Sequence, residues 1–193
     1  MGSPNGLAIA VLAAGRSLRF GKTDKLTAPI GDTMLGLHAV SALDYIDADH
    51  KFVIAARSDH ACAAGWRDAG FEVIVNPDAR SGMGTSAALS ASLAKSREAQ
   101  YLLICLADMP NVPRHHFQAI IDAMKADDGI GVVASSYGAA KMPPACFSAE
   151  HFDALGQLKG DEGARSLLRI AQPVECPPQW LADIDEPKDI SRL

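Results

Sequence analysis

LAIAVLAAGRSLRFGKTDK, residues 7–25, decides how the chain is read. Residues 7–14 form an unbroken run of apolar, mostly small side chains that stops at Gly15. Four cations follow within ten residues (Arg16, Arg19, Lys22 and Lys25), with Asp24 the one acid among them. A short apolar run bounded by glycine reads as a strand buried on both faces. A cationic, glycine-containing loop at its end is a place for a phosphate chain. Two familiar phosphate loops do not fit. The dinucleotide fingerprint GxGxxG is absent, since only Gly15 and Gly21 are available. The P-loop GxxxxGK[ST] is missed by one residue: five residues, not four, separate Gly15 from Gly21-Lys22-Thr23. The extra residue spoils the ring of N–H groups that converges on one phosphate.

Outward from this stretch the pattern alternates. Strands are predicted over residues 7–13, 51–56, 71–76, 101–106 and 129–135, and helices over 33–45, 59–69, 85–97 and 114–125. The strands are short, Val/Ile/Leu-rich and apolar on both faces. This predicts an α/β fold: a three-layer, doubly wound, mostly parallel sheet. Ligands of such sheets bind beyond the carboxyl ends of the strands, so residues 14–25, 76–86 and 107–110 are the candidate site. After residue 136 the alternation breaks. Tyr137-Gly138 predicts an irregular hairpin, followed by helices over 150–158 and 162–170, a strand over 173–176 and a last helix from Glu186.

Composition narrows the function. A chain of 193 residues reads as one domain over 1–193, with residues 1–6 a disordered tail. A net charge of -5 argues against non-specific nucleic-acid binding, which makes the cationic loop a focused site. No apolar run approaches the ~18 residues of a membrane span. Cys62, Cys105, Cys146 and Cys176 are scattered, with no CxxC pair, and read as reduced packing residues of a cytoplasmic protein. His115-His116 lacks the spaced partners of a zinc site. Trp66 and Trp180 read as packing residues.

Residues 12–26, LAAGRSLRFGKTDKL, resemble the LAAGxSxRMGxxK signature of nucleotidyltransferases that include the molybdenum cofactor cytidylyl- and guanylyltransferases. The resemblance runs along nearly the whole chain. NPDARSGMGTSAALSASL (76–93) is similar to the family's N-P-x(4)-G-M-x-T-S-L, LADMP (106–110) to GDMP, KMPPACF (141–147) to G-x-P-x-L/F, GDEGARSLL (160–168) to G-D-x-G-A-R, and DIDEPKD (183–189) to D-x-D-T-P-x-D. Among the departures, Ala107 replaces a glycine, and Pro143-Pro144 stand where His-Pro is common.

The resemblance implies a Rossmann-like nucleotidyltransferase fold and a transfer of NMP from an NTP to a phosphorylated acceptor, with loss of pyrophosphate. It implies nucleotide contacts from Leu12, Ala13, Ala14, Gly15, Arg19, Lys25, Gly82, Thr85 and Ser86. Arg19, Lys25 and Asp108 are the implied catalytic residues. Mg²⁺ is the implied cofactor, on Asp108 with Asp185. Pro144, Asp161 and Arg165 fall in the acceptor and phosphate region. Several of these have plainer readings that stay open: Thr85 or Ser86 as a helix cap, Asp108 as a turn cap, and Asp161 or Asp185 as an N-cap.

Ala14, where guanylyltransferases read glycine, adds a methyl that narrows the base pocket. CTP is therefore expected first and GTP second. Molybdopterin cofactor is the expected acceptor, with a molybdoenzyme as possible recipient. A sugar or isoprenoid-precursor phosphate is the alternative acceptor, and a non-catalytic delivery protein the alternative class. Neither nucleic acid nor membrane is expected as a partner.

Overall fold

The computed structural model describes residues 6–15, 20, 23–126, 131–160 and 164–190. The opening run is β1 (Leu7–Ala13), and all seven of its residues are buried. Successive side chains of a strand point to opposite faces, so β1 feeds two cores. Leu7, Ile9, Val11 and Ala13 enter one; Ala8, Ala10 and Leu12 enter the other.

β4 (His50–Ala55), β5 (Glu72–Val75), β6 (Tyr101–Leu106), β7 (Val132–Tyr137), β8 (Ala140–Ser148) and β9 (Gln172–Glu175) complete a seven-stranded sheet. The order is β5-β4-β1-β6-β8-β7-β9. Every pairing is parallel except those of β8, which runs against both β6 and β7. Winding runs outward from β1 to β4 and β5, then returns to β6 on its other side. That reversal opens a crevice beyond the ends of β1 and β6.

Helices α1 (Leu35–Leu43), α2 (Ala63–Asp68) and α4 (Arg114–Ala126) pack on the Leu7/Ile9/Val11 face. Helices α3 (Met83–Ser96), α5 (Phe152–Gly156) and α6 (Arg165–Ile170) pack on the other. That second face is built from small residues. Ala87, Ser90, Ala91 and Ala94 of α3 are buried against Ala8 and Ala10 of β1, which lets helix and sheet approach closely. A short α7 (Pro187–Ile190) follows near the end of the chain. Among the described residues no helix is long and apolar enough to cross a membrane.

Some expected boundaries move. Residues 33–34 are not helix. They form β3 (Thr33–Met34), paired with β2 (Pro29–Ile30) around Gly31, whose φ of +57° supplies the turn. The helix expected over 59–69 is only Ala63–Asp68, because residues 59–62 turn around the His60 side chain, whose Nδ1 takes the Cys62 N–H at 3.0 Å. α3 starts two residues early, with Gly82 as its N-cap. Thr85 and Ser86 therefore lie inside the first turns and cap nothing.

The hairpin after Tyr137 is a paired ladder. Its irregularity sits at Ala134/Ser135, opposite Pro143 and Pro144, which lack the N–H a ladder needs. The four cysteines are free and buried, as packing residues. Trp66 is fully buried.

Candidate active site

Three residues far apart in sequence meet beyond β1 and β6. Lys25 lies in a one-turn 3₁₀ helix (Lys25–Thr27) and is 8% exposed. Its Nζ donates to Asp108 Oδ2 at 2.6 Å and to Asp185 Oδ1 at 3.1 Å. Asp108 follows β6, and its carbonyl accepts the Ile184 N–H at 3.0 Å. That bond seats the 183–185 segment beside β6. The Asp189 carboxylate holds the backbone N–H groups of Asp185 and Glu186 at 3.2 and 2.8 Å, so the cap comes from Asp189 and the Asp185 carboxylate turns to Lys25.

Burial alone would lower the Lys25 pKa. Attraction and hydrogen bonding from Asp108, then from Asp185, outweigh it and raise the pKa above 10.5. Lys25 is therefore a fixed cation at neutral pH. Asp183 joins the group electrostatically: partial desolvation, then the charges of Asp185 and Asp108, push its carboxyl above 3.8.

Beside this cluster, at the ends of β1 and β4 and after β5, lies an open cleft of about 340 Å³ lined by Ala14, Gly15, Ala56, Ala79 and Arg80. The turn that carries Ala79 and Arg80 to α3 is organised by Asn76. The Asn76 side-chain amide donates to Thr85 Oγ1 at 2.9 Å and to Ser86 Oγ at 3.0 Å, and its carbonyl oxygen accepts the Asp78 N–H. Thr85 Oγ1 also lies within hydrogen-bond reach of the Gly82 carbonyl at 2.8 Å. Gly82 has φ +108°, which a side chain would strain. The Gly84 N–H donates to the Gly160 carbonyl at 2.9 Å, tying the start of α3 to the loop before α6.

The structure thus brings Lys25, Asp108 and Asp185 into contact, and puts Ala14 and Gly15 on the cleft. Leu12 and Ala13 have their side chains in the two cores. Pro144 is buried in β8 at a cis Pro143-Pro144 bond, its carbonyl bonded by Ser135 Oγ at 2.9 Å. Arg165 is exposed in the first turn of α6. Arg19 and Asp161 lie outside the described residues.

Sequence reading assigned no role to Asn76, Asp183, Arg80 or His60. Asn76 was within reach: an Asn-Pro directly after a strand is a turn whose side chain bonds forward. His60 carries no such signal, because its partner is Asp24, 36 positions earlier.

Asp108 and Asp185 offer hard oxygen donors converging on one cation, the set that suits Mg²⁺ when phosphate oxygens complete its shell. No group of three or more His, Cys, Asp or Glu side chains among the described residues could hold a metal ion.

The chain is similar to several known proteins. The chain is 33% identical over 170 residues to purine catabolism protein PucB of Bacillus subtilis (strain 168), covering 83% of this chain and 80% of that protein. It is 33% identical over 129 residues to a probable molybdenum cofactor guanylyltransferase of Haloferax mediterranei, covering 65% and 58%. A nucleotidyl transferase from Methanothermobacter thermautotroptrophicus, Mth528, superposes with a TM-score of 0.80 at 19% identity, over 96% of this chain and 94% of that one. The model of the MobA-like NTP transferase domain matches residues 9–176, and the chain belongs to that nucleotidyltransferase family.

Proposed function

We propose that this protein is a Mg²⁺-dependent nucleotidyltransferase that moves CMP, or secondarily GMP, from the NTP to a phosphorylated acceptor, molybdopterin cofactor. The observation that carries the reading is the meeting of Lys25 with Asp108 and Asp185 beside the Ala14–Gly15 cleft.

The acceptor phosphate oxygen forms a bond to the α-phosphorus, and the bond from that phosphorus to the α,β-bridging oxygen breaks. Pyrophosphate leaves with the electron pair. No group on the protein is alkylated, acylated or phosphorylated, so the work is positioning and charge neutralisation. Backbone at Ala14 and Gly15 seats the nucleotide. Asn76 holds Thr85 and Ser86 in place at the start of α3. Lys25 carries a charge that neutral pH cannot remove, directed at the α-phosphate and the leaving pyrophosphate. Asp108 and Asp185 would hold Mg²⁺, which when bound offsets charge on the triphosphate oxygens. Pro143-Pro144, at the β8 irregularity beside the end of β6, marks the acceptor side, and Arg165 the neighbouring phosphate region. A single 1–193 domain, and a cytoplasmic setting for four free thiols, complete the proposal. The Haloferax relative's name supports a molybdenum cofactor acceptor and keeps GTP as the second nucleotide.

Pyrophosphate release is to be measured with isolated molybdenum cofactor and a panel of CTP, GTP, ATP and UTP. Release with CTP above the others, lost in Asp108→Ala with the fold retained, is the expected result. No release with any NTP, or full turnover by Asp108→Ala, overturns the reading.

A further inference from the structure

We propose that His60 is a positioning residue for the Lys25 turn, acting through Asp24; the inference rests on the reading of Lys25 as the cation that meets the triphosphate. The turn is too short to hold itself. It has three residues, and a 3₁₀ turn gains little from its own hydrogen bonds. Asp24 supplies the missing anchor. Its Oδ1 accepts the Leu26 N–H at 3.0 Å, and its carbonyl accepts the Thr27 N–H at 3.1 Å and the Thr27 hydroxyl at 2.7 Å.

The other carboxylate oxygen of Asp24 is 2.9 Å from His60 Nε2. His60 is itself fixed at its other nitrogen and on its face. Nδ1 accepts the Cys62 N–H at 3.0 Å, which puts the ring proton on Nε2, toward Asp24. The ring stacks on Trp66 at 4.8 Å and 18°, and Trp66 is fully buried with its N–H on the Gly36 carbonyl at 2.7 Å. The Cys62 thiol reaches the Leu26 carbonyl at 3.4 Å. The residue after Lys25 is therefore held at its N–H through Asp24–His60 and at its C=O by Cys62. One fixed ring fixes the carboxylate, the carboxylate fixes the turn, and the turn aims Lys25 Nζ between Asp108 and Asp185.

A packing histidine would fill this place as well with any flat ring, whereas a positioning histidine needs its Nε2–H. His60→Phe keeps the stack on Trp66 and removes the donor. His60→Gln loses the ring but brings an amide N–H to about the place of Nε2. Two readouts are to be taken: amide hydrogen exchange at Leu26 and Thr27 without substrate, and kcat against KM for the NTP.

His60→Phe is expected to speed exchange at both amides roughly tenfold or more, to leave β1 exchange unchanged, and to lower kcat roughly 10–100-fold with little change in KM, the scale of a misplaced catalytic group. His60→Gln is expected to restore most of both. Should Phe prevent folding, His60→Asn replaces it, because its shorter side chain keeps the Cys62 bond and stops short of Asp24. Wild-type exchange at Leu26 in the Phe or Asn variant, or a Gln variant as impaired as Phe, overturns the proposal. Exchange does not depend on turnover. An inactive wild type would therefore refute the function of the site while the exchange data still decided the role of His60.

Discussion

Replacing Lys25 by methionine removes one charge and keeps most of the apolar stem. The ammonium is nearly buried and sits 2.6 Å from Asp108 and 3.1 Å from Asp185. Breaking a fully buried ion pair by deleting one partner costs about 3–5 kcal/mol. Here the Asp108 and Asp185 side chains keep 21% and 40% of their exposure, so water screens what is left. A loss of about 2 kcal/mol is the reasonable scale. For a chain of this size that is a fall in Tm of roughly 4–8 °C.

The same change leaves Asp108 and Asp185 without the ammonium between them, which makes them better ligands for a divalent ion. Binding at about 100 times Kd stabilises by about 2.7 kcal/mol. Mn²⁺ should therefore return most of the lost Tm to the variant and raise the wild type much less, because Lys25 competes for the same oxygens. Thermal unfolding followed by circular dichroism, in EDTA and in saturating Mn²⁺, reads both effects. A variant as stable as wild type in EDTA, or one with an equal deficit with and without metal, would refute the idea that Lys25 and the metal share one pair of carboxylates.

Asp183→Asn should stabilise the metal-free protein slightly at pH 7, by roughly 1–2 °C in Tm. The Asp183 carboxyl is raised in the fold, so it favours folding when protonated and opposes it once ionised. The gain must fade as pH falls through the raised folded value toward 3.8, which a Tm series across pH would show. Gly84→Ala should destabilise, against the usual helix preference of about 1 kcal/mol for alanine. A methyl there would stand 2.9 Å from the Gly160 carbonyl oxygen and 3.0 Å from Lys159 backbone atoms. Overpacking of that kind costs about 1–3 kcal/mol, read as a lower urea midpoint.

The parallel core of the fold was legible because β1, β4 and β6 are buried on both faces and write that burial as continuous apolar runs. The 29–34 ribbon was hidden, since Thr33 and Met34 look like the first turn of the apolar helix that follows. The start of α3 was hidden for a related reason: Gly82 caps it with backbone geometry, and no polar side chain marks the boundary.

For the site, residues that follow strands stood out by position, which is how Lys25 and Asp108 drew attention 83 positions apart. The rest depends on long-range contact. Asp185 reaches Lys25 across 160 positions through the Ile184 bond to the Asp108 carbonyl, and no local pattern encodes that link. Asp183 owes its raised pKa to the same fold-back. Asp24 stands in the sequence only as the one acid among cations, and its partner His60 lies 36 positions on.

The bond between Gly84 and Gly160 bears on how these proteins can be recombined. The stretch that begins at Asn76 looks like a self-contained cassette, suitable for transplant from a relative to change the nucleotide accepted. It is not self-contained, because Gly84, in the first turn of α3, leans on the chain 75 positions later, at Lys159. A chimera that imports 76–86 alone, with any side chain at 84, would push the 159–160 backbone and the start of α6 out of place. Loop exchange here has to move the two segments together, because room for a side chain at position 84 depends on the course of the chain at 159–160.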